Sequence, residues 1–426
     1  MVENKILIVT GEASGDLHGG RVVEAILRLE PGVRVYAVGS ERMRRAGAEI
    51  LVDSSELSVV GITEVIGRMA NLIKAYSKVK KFIQTERPSL LILIDFPDFN
   101  LLLAKAAKAA NVPTLYYISP QVWAWRSGRV STIARRVNKM AVIFPFEVPI
   151  YKKAGLDVEF VGHPLLDAMA DFESRIGPRV PRPASGPLIA LLPGSRPGEV
   201  QRLLPEMVRA AKILHERDGG RGTRGGGGGA WNAGKKREEQ SAEQTNKERI
   251  AHSADRIAET PGPGVGRGMR FVLPAAPGIK IQDLERCIPH DSPPIEIVQG
   301  KTYEALLSAD VAVVASGTAT LETAILGKPM VIIYRVSPAS YWVGRAMIQV
   351  DYIGLVNLVA GRKVVPELIQ GEVRGERIAA EVLRILDDGP YREEMLRGLR
   401  EVREKLGAPG AAERVAGMAL EIAVSK

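Results

Sequence analysis

Leu90-Leu-Ile-Leu-Ile-Asp95-Phe-Pro-Asp98-Phe-Asn100 is the stretch that decides the fold class. Five apolar residues in a row, with no polar alternation, read as a strand covered on both faces, which is the habit of parallel sheets flanked by helices. The run ends on a carboxylate and a proline and gives way to a helix-forming segment over 101–110. In an open α/β sheet the carboxyl ends of the strands are where ligands bind, and partial desolvation there raises the basicity of Asp95 toward use as a general base. Pro97 stiffens the loop. The plainer reading is that Asp98 or Asn100 does no more than cap the following helix.

The same rhythm extends outward in both directions. Toward the N-terminus a strand is predicted over 6–9, a helix over 17–29 and a strand over 33–38; toward the C-terminus strands follow at 114–118, 139–143 and 158–161, with a helix over 64–84. Residues 1–167 are predicted to form one Rossmann-like domain. A linker over 168–187, rich in proline at Pro178, Pro181, Pro183 and Pro187, precedes a second βα series. That series spans 188–400, with strands at 188–192, 269–273 and 311–315 and a helix over 199–215 whose apolar positions 200, 203, 204, 207, 211 and 214 keep helical spacing. A C-terminal helix within 401–426 is expected to cross back to the N-terminal domain. The segment 216–268 interrupts the second series with eight glycines between 219 and 229 and a charged tract, a low-complexity insertion.

Composition narrows the function classes. The chain has 426 residues, 46% hydrophobic and 25% charged, enough to bury two sizeable cores. No apolar run approaches the ~18 residues of a bilayer-spanning helix. The N-terminal stretch lacks the pattern of a secretory signal, and Cys287 is the single cysteine, so a cytoplasmic enzyme is expected. Its net charge of +9 suits phosphorylated substrates, an anionic membrane surface or nucleic acid. The insertion, with ten Lys/Arg against eight Asp/Glu, is too balanced for a nucleic-acid-binding arm. The five histidines and one cysteine show no zinc-ligand pairing, and no motif asks for a metal or another cofactor.

Three glycine turns carry the remaining chemistry. Gly11-Glu-Ala-Ser-Gly-Asp16 follows the first strand; Glu12 and Asp16 would repel a pyrophosphate, so the turn suits hydroxyls or an amide of a sugar-like ligand, unless Ser14 or Asp16 is simply a helix cap. Pro193-Gly-Ser-Arg-Pro-Gly-Glu199 repeats the geometry with Gly194, Ser195 and Arg196, whose fork matches phosphate oxygens. Ala315-Ser-Gly-Thr-Ala-Thr-Leu-Glu322 makes a further turn, where Ser316, Gly317 and Thr318 suit phosphates and Glu322 a ribose. Two such turns in one domain point to a nucleotide site. His163, beside Pro164, reads as a structural hydrogen-bonder, and Trp123, Trp125, Arg126 and Arg129 as core or as contacts for an acidic, greasy ligand.

Taken in order, Gly11 to Asp16, Ile94 to Asn100, Ser119 to Arg126, Val161 to Pro164, Leu191 to Arg196, Ala315 to Glu322 and Asn357-Leu-Val-Ala-Gly361 closely resemble the lipid-A-disaccharide synthase family. The resemblance covers nearly the whole chain except 216–268. It implies a GT-B glycosyltransferase, two Rossmann-like domains facing across a cleft with the nucleotide in the C-terminal one. The implied reaction is inverting transfer of 2,3-diacylglucosamine from UDP-2,3-diacylglucosamine to the 6-hydroxyl of 2,3-diacylglucosamine 1-phosphate (lipid X), without a metal or cofactor. By the resemblance Asp95 and Arg196 match the family's essential aspartate and arginine and Asn357 another functionally sensitive polar position; these three are assigned with Glu12 to catalysis, and Glu12 is to orient a sugar hydroxyl or assist Asp95. Ser14, Asp16, Asp98, Val60, Ile62, Trp125 and Arg126 are assigned to the acceptor and its acyl chains. The apolar segment 57–62, leading into Val65, Ile66, Met69, Leu72 and Ile73 with Arg68, Lys74, Lys78, Lys80 and Lys81, reads by its spacing equally as an interfacial patch or as an ordinary core-facing amphipathic helix, and the resemblance implies the acyl-binding, membrane-docking role. Partners implied are the two substrates, the inner leaflet of the inner membrane and a second copy of the chain, with no nucleic acid. Val356 stands where the family usually has proline, and the insertion is foreign to the pattern. Related plans with other reactions are muramyl transferases and UDP-GlcNAc epimerases; a non-catalytic nucleotide-sugar or lipid binder would need no desolvated base.

Overall fold

A computed structural model describes residues 4–57, 65–123, 128–176, 186–222, 268–337, 341 and 350–424. They fall into two compact units, one taking in the chain through Arg175 and again from Glu404, the other holding Ile176 to Arg403 apart from a short excursion before Asp351.

The first unit is built on a wholly parallel sheet of β1 (Lys5–Val9), β2 (Arg34–Gly39), β3 (Glu49–Asp53), β4 (Leu90–Ile94), β5 (Thr114–Tyr117), β6 (Lys139–Val142) and β7 (Asp157–Phe160). Its order is β3-β2-β1-β4-β5-β6-β7, so the direction of winding reverses between β1 and β4. All five residues of β4 are buried, as a strand covered on both faces requires. The helices are α1 (Ala13–Leu29), α2 (Glu41–Arg45), α3 (Val65–Glu86), α4 (Pro97–Ala109), α5 (Arg129–Arg136), α6 (Val148–Lys153) and α7 (Leu165–Ile176). Ala75, Val79 and Ile83 of α3 bury their side chains in the core with Phe99 and Leu103 of α4. Leu72 packs on the same core and is not part of an exposed patch, whereas Ile73, one step around α3, is 60% exposed.

The second unit repeats the plan with β8 (Leu188–Leu192), β9 (Arg270–Ala275), β10 (Ile295–Gln299), β11 (Val311–Ala315), β12 (Met330–Tyr334) and β13 (Glu367–Ile369), in the order β10-β9-β8-β11-β12-β13. Here the reversal lies between β8 and β11. Its helices are α8 (Pro197–Gly222), α9 (Ile281–Glu285), α10 (Thr302–Ser308), α11 (Thr318–Ile325), α12 (Leu355–Ala360), α13 (Gly375–Asp387) and α14 (Gly389–Lys405). Two parallel-sheet Rossmann-like units thus make up the chain. The strands missed from sequence are β3, β10, β12 and β13. Three of these form sheet edges with mixed burial, where the apolar pattern is weakest.

The helix predicted to end at 215 continues to Gly222, because Asp218 near its end accepts the Met269 N–H at 2.7 Å and ties the last turns to the approach of β9. The expected insertion therefore starts later than 216, and its remainder, 223–267, lies outside the described residues.

After α14 the chain forms α15 (Ala411–Val424), which packs along α1. Asp167 of α7 accepts the N–H of Gly410 at 2.5 Å and those of Ala411 and Ala412 at 3.4 Å each, supplying an acceptor to amides that have no partner within the helix. Arg414 donates to the Val161 carbonyl at 2.9 Å and Arg28 pairs with Glu413 at 3.0 Å. Asp167→Ala is expected to cost about 1–2 kcal/mol, the usual value of a helix N-cap, and to raise amide exchange across 411–424. Unchanged exchange there would show that the cap contributes nothing to docking of α15.

Candidate active site

The reversal in each sheet collects the functional turns, since that is where the loops leaving adjacent strands diverge and leave a crevice. In the first unit these are the turn after β1 and the turn after β4. Asp95 and Phe96 both adopt left-handed backbone, φ 48° and 46°, at a cost of roughly 1–3 kcal/mol each for residues other than glycine. The Asp95 carbonyl so exposed accepts from Asn100 Nδ2 at 2.7 Å and from the buried Tyr116 hydroxyl at 2.6 Å. Asn100 Nδ2 also reaches the Ile94 carbonyl at 3.2 Å. Pro97 then opens α4 at a position where its missing N–H costs nothing. The Phe96 ring lies over Gly11, where a Cβ would stand 2.2 Å from the ring, so only glycine fits.

This turn sets the Asp95 carboxylate at the carboxyl end of β4. Burial raises its pKa and the nearby charge of the exposed Glu12 raises it further, against a backbone hydrogen bond from Phe96 that lowers it. Asp95 and Glu12 are therefore near enough for the charge of one to act on the other.

Other assignments change. Asp16 is buried and its two oxygens accept the Ser40 N–H at 2.6 Å and the Arg42 N–H at 3.0 Å, capping the start of α2. With both oxygens committed to the protein, Asp16 is a structural cap and not an acceptor contact, and the helix it caps is α2 instead of its own. Asp98 pairs with Arg129 at 2.6 Å in the first turn of α4, which engages both residues with each other. Ser14 lies exposed in the first turn of α1. Val60, Ile62, Trp125 and Arg126 lie outside the described residues. His163 Nδ1 accepts the Leu165 N–H at 3.2 Å, and burial lowers its pKa to about 3, a structural histidine.

In the second unit the turn after β8 and the turn after β11 sit side by side on paired strands. Gly194 has φ 113°, and a Cβ there would stand 2.5 Å from Glu199 Oε2. Glu199 closes the loop: Oε2 accepts the Ser195 N–H at 3.2 Å and Oε1 pairs with Arg196 Nη1 at 3.1 Å. The Arg196 side chain remains 81% exposed at the start of α8. After β11, Thr318 is exposed at the start of α11, whose first N–H groups have no partner within the helix. Ser316 Oγ donates to the Ile353 carbonyl at 3.1 Å. With its proton spent, that hydroxyl can only accept, so it is not the phosphate donor that the sequence suggested. Buried Glu322 accepts from the Tyr303 hydroxyl at 2.9 Å, and burial raises its pKa.

Asn357 is the largest correction. It is fully buried, donates from Nδ2 to the Val365 carbonyl at 2.9 Å and to Glu367 Oε1 at 2.7 Å, and accepts at Oδ1 from the Val364 and Val365 N–H groups at 2.7 and 3.0 Å. Its amide is saturated by the protein and has nothing left for a substrate, so its role is to position.

Glu147 went unnoticed in sequence. It is 1% exposed, and it accepts from the Ser119 hydroxyl at 2.6 Å, Trp123 Nε1 at 3.1 Å and the Phe144 N–H at 3.1 Å. Trp123 meets Phe146 edge to face at 5.3 Å, so one carboxylate anchors the start of the aromatic segment. The only signal for it is a lone glutamate amid Phe144 and Phe146.

Comparison with known proteins places this geometry in a family. A model described as lipid-A-disaccharide synthetase matches residues 6–219 and 274–416, its gap falling on the low-complexity segment. The lipid-A-disaccharide synthase of Geobacter metallireducens is 44% identical over 420 residues, covering 98% of this chain and 97% of its own. Among solved structures, UDP-GlcNAc 2-epimerase from Neisseria meningitidis bound to UDP-GlcNAc aligns with TM-score 0.54 at 10% identity over 98% of this chain and 100% of that one. The glycotransferase of kitacinnamycin aligns with TM-score 0.57 at 13% identity over 98% and 99%. At such identities these structures are similar in fold, the two-unit GT-B plan.

Burial lifts the Glu147 pKa from 4.5 to about 7 despite its three donors. A pKa raised by folding stabilises below the unfolded value and loses that contribution as pH rises through the folded one. Wild type is therefore expected to lose stability relative to Glu147→Gln between pH 4.5 and about 7, with a constant difference above, measured by urea unfolding at each pH. A difference independent of pH would show Glu147 ionised throughout.

Proposed function

This chain belongs to the lipid-A-disaccharide synthase family of hexosyltransferases, enzymes of lipid A biosynthesis, and we propose that it moves 2,3-diacylglucosamine from UDP-2,3-diacylglucosamine onto the 6-hydroxyl of lipid X with inversion. The products are the β-1,6 disaccharide 1-phosphate and UDP. The observation that carries this reading is the Asp95 carboxylate, set at the carboxyl end of β4 on left-handed backbone and made more basic by burial and by Glu12.

In a single displacement the acceptor 6-oxygen forms its bond to the anomeric carbon while the bond from that carbon to the UDP oxygen breaks. Asp95 takes the hydroxyl proton, and the electron pair of the broken bond leaves on the β-phosphate of UDP. Arg196 and the N–H groups at the starts of α8 and α11 stabilise the charge that collects there. Gly194 and Ser195 shape the diphosphate turn, Gly317 and Thr318 supply the second, and Glu322, steadied by Tyr303, accepts from the ribose hydroxyls. Glu12 holds a sugar hydroxyl and keeps Asp95 basic. Ser316 and Asn357 act on the donor side without giving a proton to a phosphate.

Both substrates carry acyl chains, so the enzyme works as a peripheral protein at the inner face of the inner membrane. Support comes from Ile73, 60% exposed on α3 among lysines.

The test is purified protein in mixed micelles with UDP-2,3-diacylglucosamine and lipid X, following UDP release and disaccharide by mass spectrometry. Asp95→Asn, which keeps the shape and removes the base, is expected to lower kcat by about 10²–10⁴-fold or more. Wild-type activity in that variant would remove Asp95 from proton transfer, and absence of disaccharide from folded wild type would overturn the reaction. A pH profile adds a second check. Glu12→Gln takes away a negative charge that raises the Asp95 pKa, so the acidic limb of kcat/KM should move to lower pH. An unmoved limb would assign it to another group.

A further inference from the structure

Glu367, the first residue of β13, holds three donors with one carboxylate. Oε2 accepts the Ile353 N–H at 3.0 Å, and Oε1 accepts the Gly354 N–H at 3.0 Å and Asn357 Nδ2 at 2.7 Å. Gly354 is the N-cap of α12 and Ile353 the residue before it, so the carboxylate gathers the loop at the point where it enters the helix. The fit is close. A Cβ on Gly354 would stand 2.5 Å from Ile332 Cδ1 and 2.9 Å from Glu367 Oε1, so the carboxylate and β12 together clamp this peptide.

The clamped peptide has a second face. Its Ile353 carbonyl receives the proton of the Ser316 hydroxyl at 3.1 Å, while the Ser316 N–H is held by the Ile333 carbonyl at 2.9 Å. Ser316 opens the turn that leads into α11. An unbroken run of hydrogen bonds thus leads from Glu367, through the Ile353 peptide, to the turn after β11. On its other side Asn357 braces the Val364 and Val365 amides, which keeps the approach to β13 from shifting.

We propose that Glu367 is a positioning residue for the UDP diphosphate turn at Ser316, Gly317 and Thr318, acting through the Ile353 carbonyl. This rests on the donor site assigned above. Glu367 touches no substrate in this scheme. It fixes where the Ile353 carbonyl points, and that carbonyl fixes the Ser316 side chain and, through it, the direction of the turn's N–H groups. Loss of the clamp would leave the sheet intact and the turn free to wander, which weakens donor binding without touching the acceptor unit.

The experiment measures UDP affinity of the full-length chain by titration calorimetry for wild type, Glu367→Gln and Gly354→Ala, with steady-state kinetics in both substrates. Glutamine places an N–H group against N–H donors, and alanine pushes the same peptide without changing a charge. Each is expected to raise the Kd for UDP about tenfold and to raise KM for the donor similarly, with KM for the acceptor unchanged. A carboxylate that served stability alone would lower the melting temperature without separating the two KM values. In a Ser316→Ala background, where the link is already cut, Glu367→Gln should add less than about twofold, the non-additivity expected of coupled residues.

UDP binding unchanged in a folded variant overturns the positioning role while leaving the donor site standing. Failure of wild type to bind UDP overturns the donor site itself. If Glu367→Gln does not fold, Gly354→Ala decides, because it keeps the carboxylate and its three donors.

Discussion

Two successive residues other than glycine in left-handed backbone persist only where their surroundings hold them there, and at Asp95 and Phe96 the hold is a carbonyl with two donors. Asn100 Nδ2 and the Tyr116 hydroxyl both reach the Asp95 oxygen, at 2.7 and 2.6 Å, from a helix and a strand that are themselves buried. Without those donors the carbonyl would be a buried acceptor left wanting, at a cost of about 1–3 kcal/mol, and the backbone would relax toward an ordinary turn. The carboxylate would then lie elsewhere. The rest of this turn follows from the arrangement: Phe96 is turned onto Gly11, Pro97 is aligned to open α4, and Asp95 is left where the charge of Glu12 acts on it.

The second unit reaches a comparable result by different means. There is no strained pair; instead two carboxylates act as internal anions that shape loops for an external one. Glu199 gathers Ser195 and Arg196, and Glu367 gathers Ile353, Gly354 and Asn357. Each ties backbone N–H groups just ahead of a helix to a side-chain donor, so the loops are held within the protein itself. Such preorganisation limits the ordering a ligand must impose when it binds.

Much of the site was legible because its signals are local. A wholly apolar run ending in Asp95, a glycine after a strand, and an arginine in a glycine turn each say what they do within a few residues, and the structure gives each the expected place on its strand. Asp16 and Glu147 were misread or missed because their partners are remote in sequence, whereas Asn357 was misread because a loop folds back on it from 7 to 10 residues on. Asp16 caps a helix whose first donor, Ser40, lies 24 residues on, and Glu147 receives Ser119 from 28 residues earlier. A polar residue beside a motif reads as a ligand contact until the fold shows that its oxygens are already spent. The edge strands β3, β10 and β13 were lost for a related reason, since a strand half covered by its sheet need not announce itself in its own hydropathy.

Sequence alone was enough to establish two parallel α/β units, the turns at which their windings reverse, and Asp95 and Arg196 as the charged residues those turns display. Periodicity and glycine placement are short-range properties, and parallel topology confines ligands to strand ends whatever the detail of packing. Tertiary structure alone decided which polar groups remain available. Hydrogen-bond capacity is finite, and whether an asparagine or a carboxylate keeps any for a substrate depends on donors that folding brings from distant segments. On that basis the oxygens of Asn357, Asp16 and Glu367 are taken up by the protein's own N–H groups, whereas Glu12 and Arg196 reach the surface.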